Sequence, residues 1–309
     1  MENLFNVSTA PHIRNSITTK NIMYDVIIAL LPATFFGIYQ FGIDALLVIV
    51  TAVITAILSE YLYQRLMKLP TTINDGSAII TGLLLALSLS SSMPLWMVAL
   101  GSIFAIIVVK QLFGGLGQNF MNPALAARCF LLISFAGKMN SFVNIDATSS
   151  ATPLAMIRNS QSINLLDMLI GNTSGTIGET SVIALLIGAG YLIYKKVISP
   201  KIPLAIFASF SFIILIGGDF DLKYLFAQIC GGGLVMGAFF MATDYVTSPI
   251  TPNGKLVYGL IIGILAAIFR LYGSTPEGMS FAIIISNLLV PLIEKITVPK
   301  IKNSGGKQK

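Results

Sequence analysis

Long apolar runs alternate with short polar breaks along most of this 309-residue chain. A helix needs about 20 mostly apolar residues to cross the roughly 30 Å hydrocarbon core of a bilayer. The runs lie near residues 22–41, 44–64, 76–91, 94–112, 120–137, 180–194, 202–217, 224–243, 256–272 and 279–294. The pattern predicts an all-α integral membrane protein with about ten transmembrane helices. Several runs in the second half are short, which favours tilted or broken helices there.

The stretch 76–109 shows the pattern most clearly, because it contains no Asp, Glu, Lys or Arg. We interpret it as two spans that turn at 88–94. Composition agrees, since 55% of the residues are hydrophobic and 10% are charged, against about 25% charged residues in soluble domains. The net charge of +6 comes from single basic residues between spans and at the C-terminus. This distribution indicates a lipid bilayer as partner and excludes a nucleic-acid-binding face.

The basic residues predict the orientation, because Lys and Arg accumulate in short cytoplasmic loops. All of the following fall on one side if both termini are cytoplasmic: Arg14, Lys20, Arg65, Lys68, Lys110, Lys195, Lys196, Lys201, Lys295, Lys300, Lys302, Lys307 and Lys309. The predicted organisation is a cytoplasmic segment (1–21), five spans (22–137), an extracytoplasmic loop (138–179), five spans (180–294) and a basic cytoplasmic tail (295–309). We expect the first span to be an uncleaved anchor.

An internal repeat is suggested by the third span of each half, where Gly76 and Gly82 have the same spacing as Gly231 and Gly237. Five spans per half would make the two repeats inverted in the membrane. Independent use of small residues for close helix contact explains the glycines equally well. The apparent repeat also raises a second class of function, a solute channel or secondary transporter.

The long loop holds the most informative segment, which runs from Asp146 to Leu154. Pro153 favours an extended conformation at Thr152. The segment is either a plain flexible loop or an exposed turn that presents the Thr152 hydroxyl to an enzyme that attaches a group to it. In the second case Asp146 is placed to dock or activate the threonine.

A family resemblance rests first on Asp146, Ser149, Ser150, Ala151 and Thr152. This spacing resembles the acceptor motif of flavin transferases, which join the phosphate of FMN to the threonine hydroxyl by a phosphoester bond. The family pattern usually has Gly where this chain has Ser150. With Pro153 and Leu154 and the five preceding spans, the motif resembles the D subunit of the Rnf complex and the related B subunit of sodium-translocating NADH:quinone reductase.

Further stretches resemble the same subunit in the same order. They are residues 10–14, 75–87, 110–128, 241–249 and 276–287. The reductase B subunit usually has a longer N-terminal region, which favours the Rnf assignment.

The resemblance implies a flavoprotein subunit of a ferredoxin:NAD oxidoreductase in the bacterial cytoplasmic membrane. FMN would be covalently bound to Thr152 on the extracytoplasmic side, and electron transfer would be coupled to movement of Na⁺ or H⁺. The implied partners are the other Rnf subunits, including a second covalent-flavin subunit, and a flavin transferase for maturation. Neither ferredoxin nor NAD is expected to bind here, because no soluble domain or iron–sulfur motif is present. A second, noncovalent flavin, riboflavin, is a further expectation.

The glycine-rich stretch 113–120 lacks the spacing of a dinucleotide fingerprint, which excludes a Rossmann unit. We expect Gly114 and Gly115, beside Asn119 and Asn122, to let non-helical backbone line a buried pocket. Both packing alone and a second flavin site fit this pattern.

Arg128 lies within the fifth span, where a charge is costly and marks a candidate functional residue. It could pair with a flavin, a lipid phosphate or a neighbouring acid, or its side chain could extend to the cytoplasmic interface. Asp244 is a candidate for contact with a cofactor or ion. Asp75 is better explained as a helix cap.

The remaining polar candidates receive no special role. Asp25, Asp44 and Glu60 are expected near span ends, within reach of solvent or headgroups. His12 is the single histidine and Cys129 and Cys230 lack metal-ligand spacing, so no metal site is expected.

Overall fold

The computed structural model describes residues 18–139, 141–142, 152–158, 164–218, 220–273 and 278–299, and the regular elements within these ranges are helical. The helices are α1 (Thr19–Leu66), α2 (Ser77–Leu87), α3 (Leu95–Ile103, continued as a π-helix over Phe104–Gln111), α4 (Pro123–Ser134), α5 (Ala136–Met139), α6 (Pro153–Arg158), α7 (Leu165–Ile170), α8 (Val182–Tyr194), α9 (Lys201–Gly217), α10 (Leu222–Cys230), α11 (Leu234–Met236, continued as a π-helix over Gly237–Met241), α12 (Pro252–Tyr272) and α13 (Met279–Thr297). A short 3₁₀ turn covers Ile73–Asp75.

Helix α1 is a hairpin of two limbs that reverses at Gly42, whose φ of 66° and ψ of −144° are not helical. In the first limb, Met23 lies beside Gly76. In the second, Glu60 pairs with Lys110, which also binds Ser77, the neighbour of Gly76. A straight helix would hold Met23 and Glu60 about 55 Å apart. The limbs correspond to the first two predicted spans.

A broken helix lies in the second half, where α10 and α11 are bent by 63°. Three consecutive glycines, Gly231 to Gly233, form the break, and Gly232 and Gly233 have φ of 62° and 68°. Positive φ is accessible to glycine without the steric cost that a Cβ imposes. The break divides one predicted span, 224–243, and agrees with the expectation of broken helices in this half.

Small residues bring the helices into close contact. A side chain at Gly188 on α8 would collide with the backbone carbonyl of Ala29 on α1, and one at Gly82 on α2 would lie 2.8 Å from the Ala52 carbonyl oxygen. Gly188 meets Ala29, and Tyr191, further along α8, donates to the carboxylate of Asp25, which lies earlier on α1, at 2.7 Å. Helix α8 therefore runs antiparallel to the first limb of α1. Close backbone approach of this kind is typical of helix packing in membranes.

Within the part of the chain that the structure describes, three helices, α1, α12 and α13, are long and apolar enough to cross a membrane, and α10 with α11 would make a fourth as one bent span. Helices α2, α3, α4, α8 and α9 are shorter and apolar. Large apolar side chains face outward along several helices, among them Phe35, Ile54, Leu58, Leu204, Phe212 and Leu260. So much exposed apolar surface is typical of a lipid-facing boundary. The structure is therefore that of a multi-pass membrane protein.

The bundle has two ends that organise the sites. The Glu60 end contains Met23, Glu60, Ser77, Lys110 and Asp244. The Gly42 end contains Gln40, Gly42, Leu89, Thr173 and Ile177, which are connected by hydrogen bonds from Gln40 to the Thr173 carbonyl and from the Ile177 N–H to the Leu89 carbonyl.

Candidate functional site

Thr152 lines a pocket at the Gly42 end of the bundle, in a space of about 380 Å³. The pocket is closed by the α10–α11 break and by the segment that precedes α8. Its walls are Thr152, Pro153, Leu154, Met168, Thr173, Ser174, Gly175, Thr176, Glu179, Thr180, Cys230, Gly231 and Gly232. We call it the Thr152 pocket. Small residues and hydroxyl groups dominate its lining.

The Thr152 side chain is only 8% exposed, so the expectation of an exposed turn was wrong. Its Oγ1 accepts a hydrogen bond from the Ala155 N–H at 3.4 Å, in the first turn of α6, which begins at Pro153. Leu154 is 3% exposed and packs against Gly231 and Gly232, where a Cβ would collide with it. The glycine break thus provides the groove that holds the threonine segment against the bundle.

Two buried hydroxyl groups in the same pocket are available to a ligand. Thr176 and Thr180 are 2% and 4% exposed, and neither Oγ1 has a hydrogen-bond partner among the described residues. A buried hydroxyl without a partner costs free energy. The Thr152 pocket therefore offers two unsatisfied polar groups beside the predicted attachment residue.

The other residues of the predicted acceptor motif, Asp146, Ser149, Ser150 and Ala151, lie outside the described residues. His12 does so as well. Their positions relative to Thr152 stay predictions from the sequence.

Arg128 on α4 forms an ion pair with Glu179, with 2.9 Å between Nη1 and Oε1. The side chains are 9% and 7% exposed, and Glu179 lines the Thr152 pocket. The sequence left a flavin, a lipid phosphate or a neighbouring acid as partners for Arg128. The structure shows a neighbouring acid, Glu179. Extension of the side chain to the cytoplasmic interface was wrong, because the pair faces the interior.

A second buried arginine, Arg270 on α12, holds the glycine break in place. Its Nη2 donates to the carbonyls of Gly231 at 2.7 Å and Gly232 at 3.0 Å, and its Nη1 donates to the Gln228 carbonyl. The guanidinium also lies 5.0 Å from the centre of the Phe210 ring. Arg270 thus satisfies carbonyl groups that the end of α10 leaves without helical partners.

A larger cavity occupies the Glu60 end and contains about 760 Å³ of space. Its walls are mostly apolar, with Phe239 and Phe240 from α11, and several polar groups face it. These polar residues are Ser77, Thr81, Lys110, Asn119, Asn122, Thr243 and Asp244. We call it the Asp244 cavity. A mostly apolar cavity with a few polar groups is typical of a small-molecule site.

The structure brings three of the predicted residues to this cavity, namely Asn119, Asn122 and Asp244. Asn122 is the N-cap of α4, since its Oδ1 accepts from the N–H groups of Ala124 at 3.0 Å and Leu125 at 3.3 Å. Asn119 Nδ2 donates to the Met121 carbonyl at 3.0 Å. Both asparagines therefore shape the cavity wall and also stabilise the local backbone.

Gly114 and Gly115 form the turn that ends α3, with φ of 114° and 93°. Their N–H groups bond to the carbonyls of Gln111 and Lys110 at 3.1 and 3.0 Å. They belong to the non-helical backbone that was predicted here, but they are not among the residues that line the Asp244 cavity.

Asp244 is half-buried just beyond the end of α11. Its carboxylate accepts hydrogen bonds from the Val246 N–H at 3.3 Å and the Thr247 hydroxyl at 3.2 Å. Burial raises the pKa of Asp244, and the two hydrogen bonds oppose the increase. The N-cap position of α2 is Gly76 rather than Asp75. Asp75 nevertheless caps the helix with its side chain, because its Oδ1 accepts from the N–H of Ser77, the first residue of α2, at 2.7 Å.

Sequence reasoning missed the ion pair between Glu60 and Lys110, which are 0% and 3% exposed along their side chains. Lys110 Nζ lies 2.9 and 2.8 Å from the two Glu60 oxygens and 2.6 Å from Ser77 Oγ. Gln111 also donates to Glu60 at 2.9 Å. The expectation that solvent or headgroups reach Glu60 was wrong, and Lys110 is not a loop charge. The rule that marked Arg128, a charge within an apolar span, also marks these two residues and Arg270.

These features of the described residues define a class of protein: a helical membrane protein with a broken helix, buried ion pairs and internal pockets that include the Thr152 pocket and the Asp244 cavity. A family model described as NQR2, RnfD, RnfE family matches residues 6–303. The chain belongs to this family.

Named relatives agree with the resemblance found in the sequence. The D subunit of the Na(+)-translocating ferredoxin:NAD(+) oxidoreductase complex of Acetobacterium woodii is 46% identical over 96% of this chain and 94% of the relative. The D subunit of the proton-translocating ferredoxin:NAD(+) oxidoreductase complex of Clostridium ljungdahlii is 40% identical over 96% of each chain. The D subunit of the ion-translocating oxidoreductase complex of Actinobacillus succinogenes is 33% identical over 98% of this chain and 99% of the relative. The resemblance to the Rnf D subunit is confirmed.

Proposed function

We propose that this chain is a flavin-carrying subunit of an Rnf complex, in which FMN is joined to Thr152 by a phosphoester bond. The complex passes electrons between ferredoxin and NAD and couples this transfer to translocation of Na⁺ or H⁺. The named relatives belong to ferredoxin:NAD(+) oxidoreductase complexes that translocate either ion. FMN would supply the redox chemistry, while the protein holds it and sets its surroundings.

The observation that carries this proposal is the composition of the Thr152 pocket. The threonine Oγ1 is the atom that would bond to phosphorus, losing its proton while the phosphorus loses the leaving group of an activated flavin phosphate donor. Thr176 and Thr180 provide unpartnered hydroxyls beside it, which suit hydrogen bonds to a phosphate or ribityl chain. Gly231 and Gly232 admit the Leu154 side chain, which holds Thr152 at the pocket wall. The hydroxyl groups of this pocket therefore suit the phosphate end of the attached group.

Burial of Thr152 has a consequence for maturation. A transferase must reach the hydroxyl, which is 8% exposed. We therefore expect attachment before the segment packs against Gly231 and Gly232, or during its temporary release. Asp146, Ser149, Ser150 and Ala151 remain the proposed recognition motif for the transferase.

The Asp244 cavity supports the second part of the proposal, a noncovalent riboflavin nearer the cytoplasm. Phe239 and Phe240 offer aromatic surface for a flat ring system, and Ser77, Asn119 and Asp244 offer polar groups for its edge. Helix α11 connects the two pockets, because Gly232 lines one and Phe239 lines the other.

The proposed membrane arrangement has ten spans in two inverted halves. The first limb of α1 packs antiparallel on α8, and α4 contacts α13. These are the contacts expected between the first spans of two inverted repeats and between their fifth spans. The exposed residues Lys20, Arg65, Lys68, Lys195 and Lys196 support a cytoplasmic Glu60 end.

The proposed surroundings follow from this assignment. The chain would lie in the bacterial cytoplasmic membrane with both termini in the cytoplasm. Its partners would be the other Rnf subunits, including a second subunit with covalent flavin, and the flavin transferase that modifies it.

The test is in-gel fluorescence of the denatured subunit, produced with a competent flavin transferase. Wild type should retain flavin fluorescence, and Thr152→Ala should abolish it because the oxygen that forms the bond is gone. Ser141→Ala is the matched control, since it removes an exposed hydroxyl from the same loop outside the motif and should keep the band. Ser150→Gly restores the usual family residue and should label at least as well as wild type.

Absence of covalent flavin from wild type under these conditions would reject the proposal. Such a result would favour the channel or transporter alternative. Retention of the fluorescent band by Thr152→Ala would instead show that flavin is attached at another residue.

A further inference from the structure

A buried carboxylate forms part of the wall of the Thr152 pocket. Glu179 is 7% exposed along its side chain and pairs with Arg128 at 2.9 Å, and it lines the pocket together with Thr152. Charges in such an environment act strongly on one another, because little water is present to screen them. A redox group attached to Thr152 and held at this pocket would lie within range of the pair.

The position of Glu179 is fixed from three sides. The preceding residue, Gly178, donates its N–H to the Leu87 carbonyl at 2.8 Å at the end of α2. Gly233 at the start of α11 lies so close that a Cβ there would collide with the carboxylate. Arg128 reaches the same carboxylate from α4. Three separate helices therefore hold one charged group at the pocket wall.

Helix packing alone does not require this arrangement. A well-packed apolar group of similar volume is often as stable as a buried ion pair, or more stable. Glu179 lines the pocket and Arg128 contacts it at 2.9 Å, and an acid and a base at such distances act oppositely on the charge state of an occupant. A carboxylate opposes the addition of an electron nearby, whereas a guanidinium favours it.

We propose that Glu179 and Arg128 are positioning residues that set the reduction potential of the flavin on Thr152. The inference rests on the proposed covalent flavin. Glu179 makes reduction of the flavin ring less favourable, and Arg128 makes it more favourable. Together they hold the reduction potential between the values that either charge alone would give. The reaction remains addition of electrons from the donor centres of the complex to the flavin, with no bond formed to either side chain.

The experiment is a spectroelectrochemical titration of the covalent flavin in the purified complex. Glu179→Gln should shift the potential upward and Arg128→Gln should shift it downward, while the double variant should lie near wild type. Within about 10 Å, and at an effective dielectric constant of about 20, one unit of charge changes the oxidised-to-reduced equilibrium about tenfold. That change is about 59 mV for a one-electron couple.

Two controls separate this electrostatic role from a structural one. Glu179→Asp keeps the charge and should shift the potential less than Glu179→Gln. Glu60→Gln breaks a buried pair of the same kind at the Glu60 end and should leave the potential of the covalent flavin unchanged. Loss of stability without an electrostatic effect would not produce shifts of opposite sign.

Each outcome has a distinct meaning. Opposite shifts in the single variants, cancelled in the double variant, support the inference. Equal potentials in all variants that retain in-gel fluorescence, or shifts of the same sign, overturn it. If the wild-type subunit shows no in-gel fluorescence, the proposed function is rejected together with this inference. The in-gel fluorescence is therefore measured before any titration.

Discussion

At the scale of single residues, the buried charges are the most informative feature of this chain. Glu60, Lys110, Arg128, Glu179 and Arg270 all lie inside an otherwise apolar bundle. An isolated ionised group in such a place is very unfavourable. Each of these side chains has a charged partner or several backbone carbonyls. These partners explain how the apolar interior of the bundle tolerates the five charges.

Neutralising one member of the Glu60–Lys110 pair should destabilise the protein strongly. Glu60→Gln leaves the Lys110 ammonium without its carboxylate, and loss of one partner from a buried pair costs about 3–5 kcal/mol. The double variant Glu60→Gln with Lys110→Met should recover part of this loss. Thermal unfolding in detergent measures the effect.

Asp44→Asn is the matched control for this prediction, because Asp44 is an exposed acid on the same helix. It should change stability by less than about 0.5 kcal/mol. The account of the ion pair is wrong if Glu60→Gln is as stable as Asp44→Asn.

At the scale of helices, contact between backbones depends on individual glycines. Gly188 and Gly190 lie two residues apart on α8, but only Gly188 faces another helix. Its position meets the Ala29 carbonyl of α1, whereas no heavy atom lies within 4 Å of a Cβ built at Gly190. Helix α8 therefore contains one glycine at a helix contact, Gly188, and one away from any contact, Gly190, which serves as the control.

Gly188→Ala should lower the thermal stability of the protein, because α8 and the first limb of α1 must separate to admit the methyl group. Overpacking of this kind typically costs about 1–3 kcal/mol. Gly190→Ala should be neutral or stabilising by up to about 1 kcal/mol, since alanine favours helix more than glycine does. Equal melting temperatures for the two variants would contradict the described contact.

At the scale of the whole molecule, the two pockets lie at opposite ends of the bundle. The Thr152 pocket adjoins the α10–α11 break, and the Asp244 cavity adjoins the far end of α11. One half-helix therefore spans the distance between the proposed covalent and noncovalent flavins. This arrangement predicts that each flavin can be removed without loss of the other.

Val26→Trp should fill part of the Asp244 cavity, whose wall includes Val26. We expect loss of the flavin that is released by denaturation, with the covalent band retained. Thr152→Ala should give the converse result. The measurement is flavin content of the supernatant and of the gel band after denaturation of the same sample.

Ile28→Trp is the matched control, because Ile28 lies two residues along the same helix and is 47% exposed on its outer face. It should keep both flavins. Retention of the released flavin by Val26→Trp at the wild-type level would show that this flavin binds elsewhere.

The sequence by itself determined the features that depend on neighbouring residues. Apolar length predicted the helices, including the turn between Leu87 and Leu95, and Asp75 was identified as a cap because capping is local. Arg128 was marked as a charge within a span from its apolar neighbours alone, and its burial was shown by the structure. The motif around Thr152 pointed to a family that the comparisons then confirmed.

Only the tertiary structure decided which groups meet. Glu60 and Lys110 are 50 residues apart, and Arg128 and Glu179 are 51 apart, so nothing local in the sequence identifies them as partners. The burial of Thr152 likewise depends on Gly231 and Gly232, which belong to the other half of the chain. Hydrophobicity dictates that a helix is buried in the membrane, but the pairing of its few polar groups depends on how the helices pack against one another.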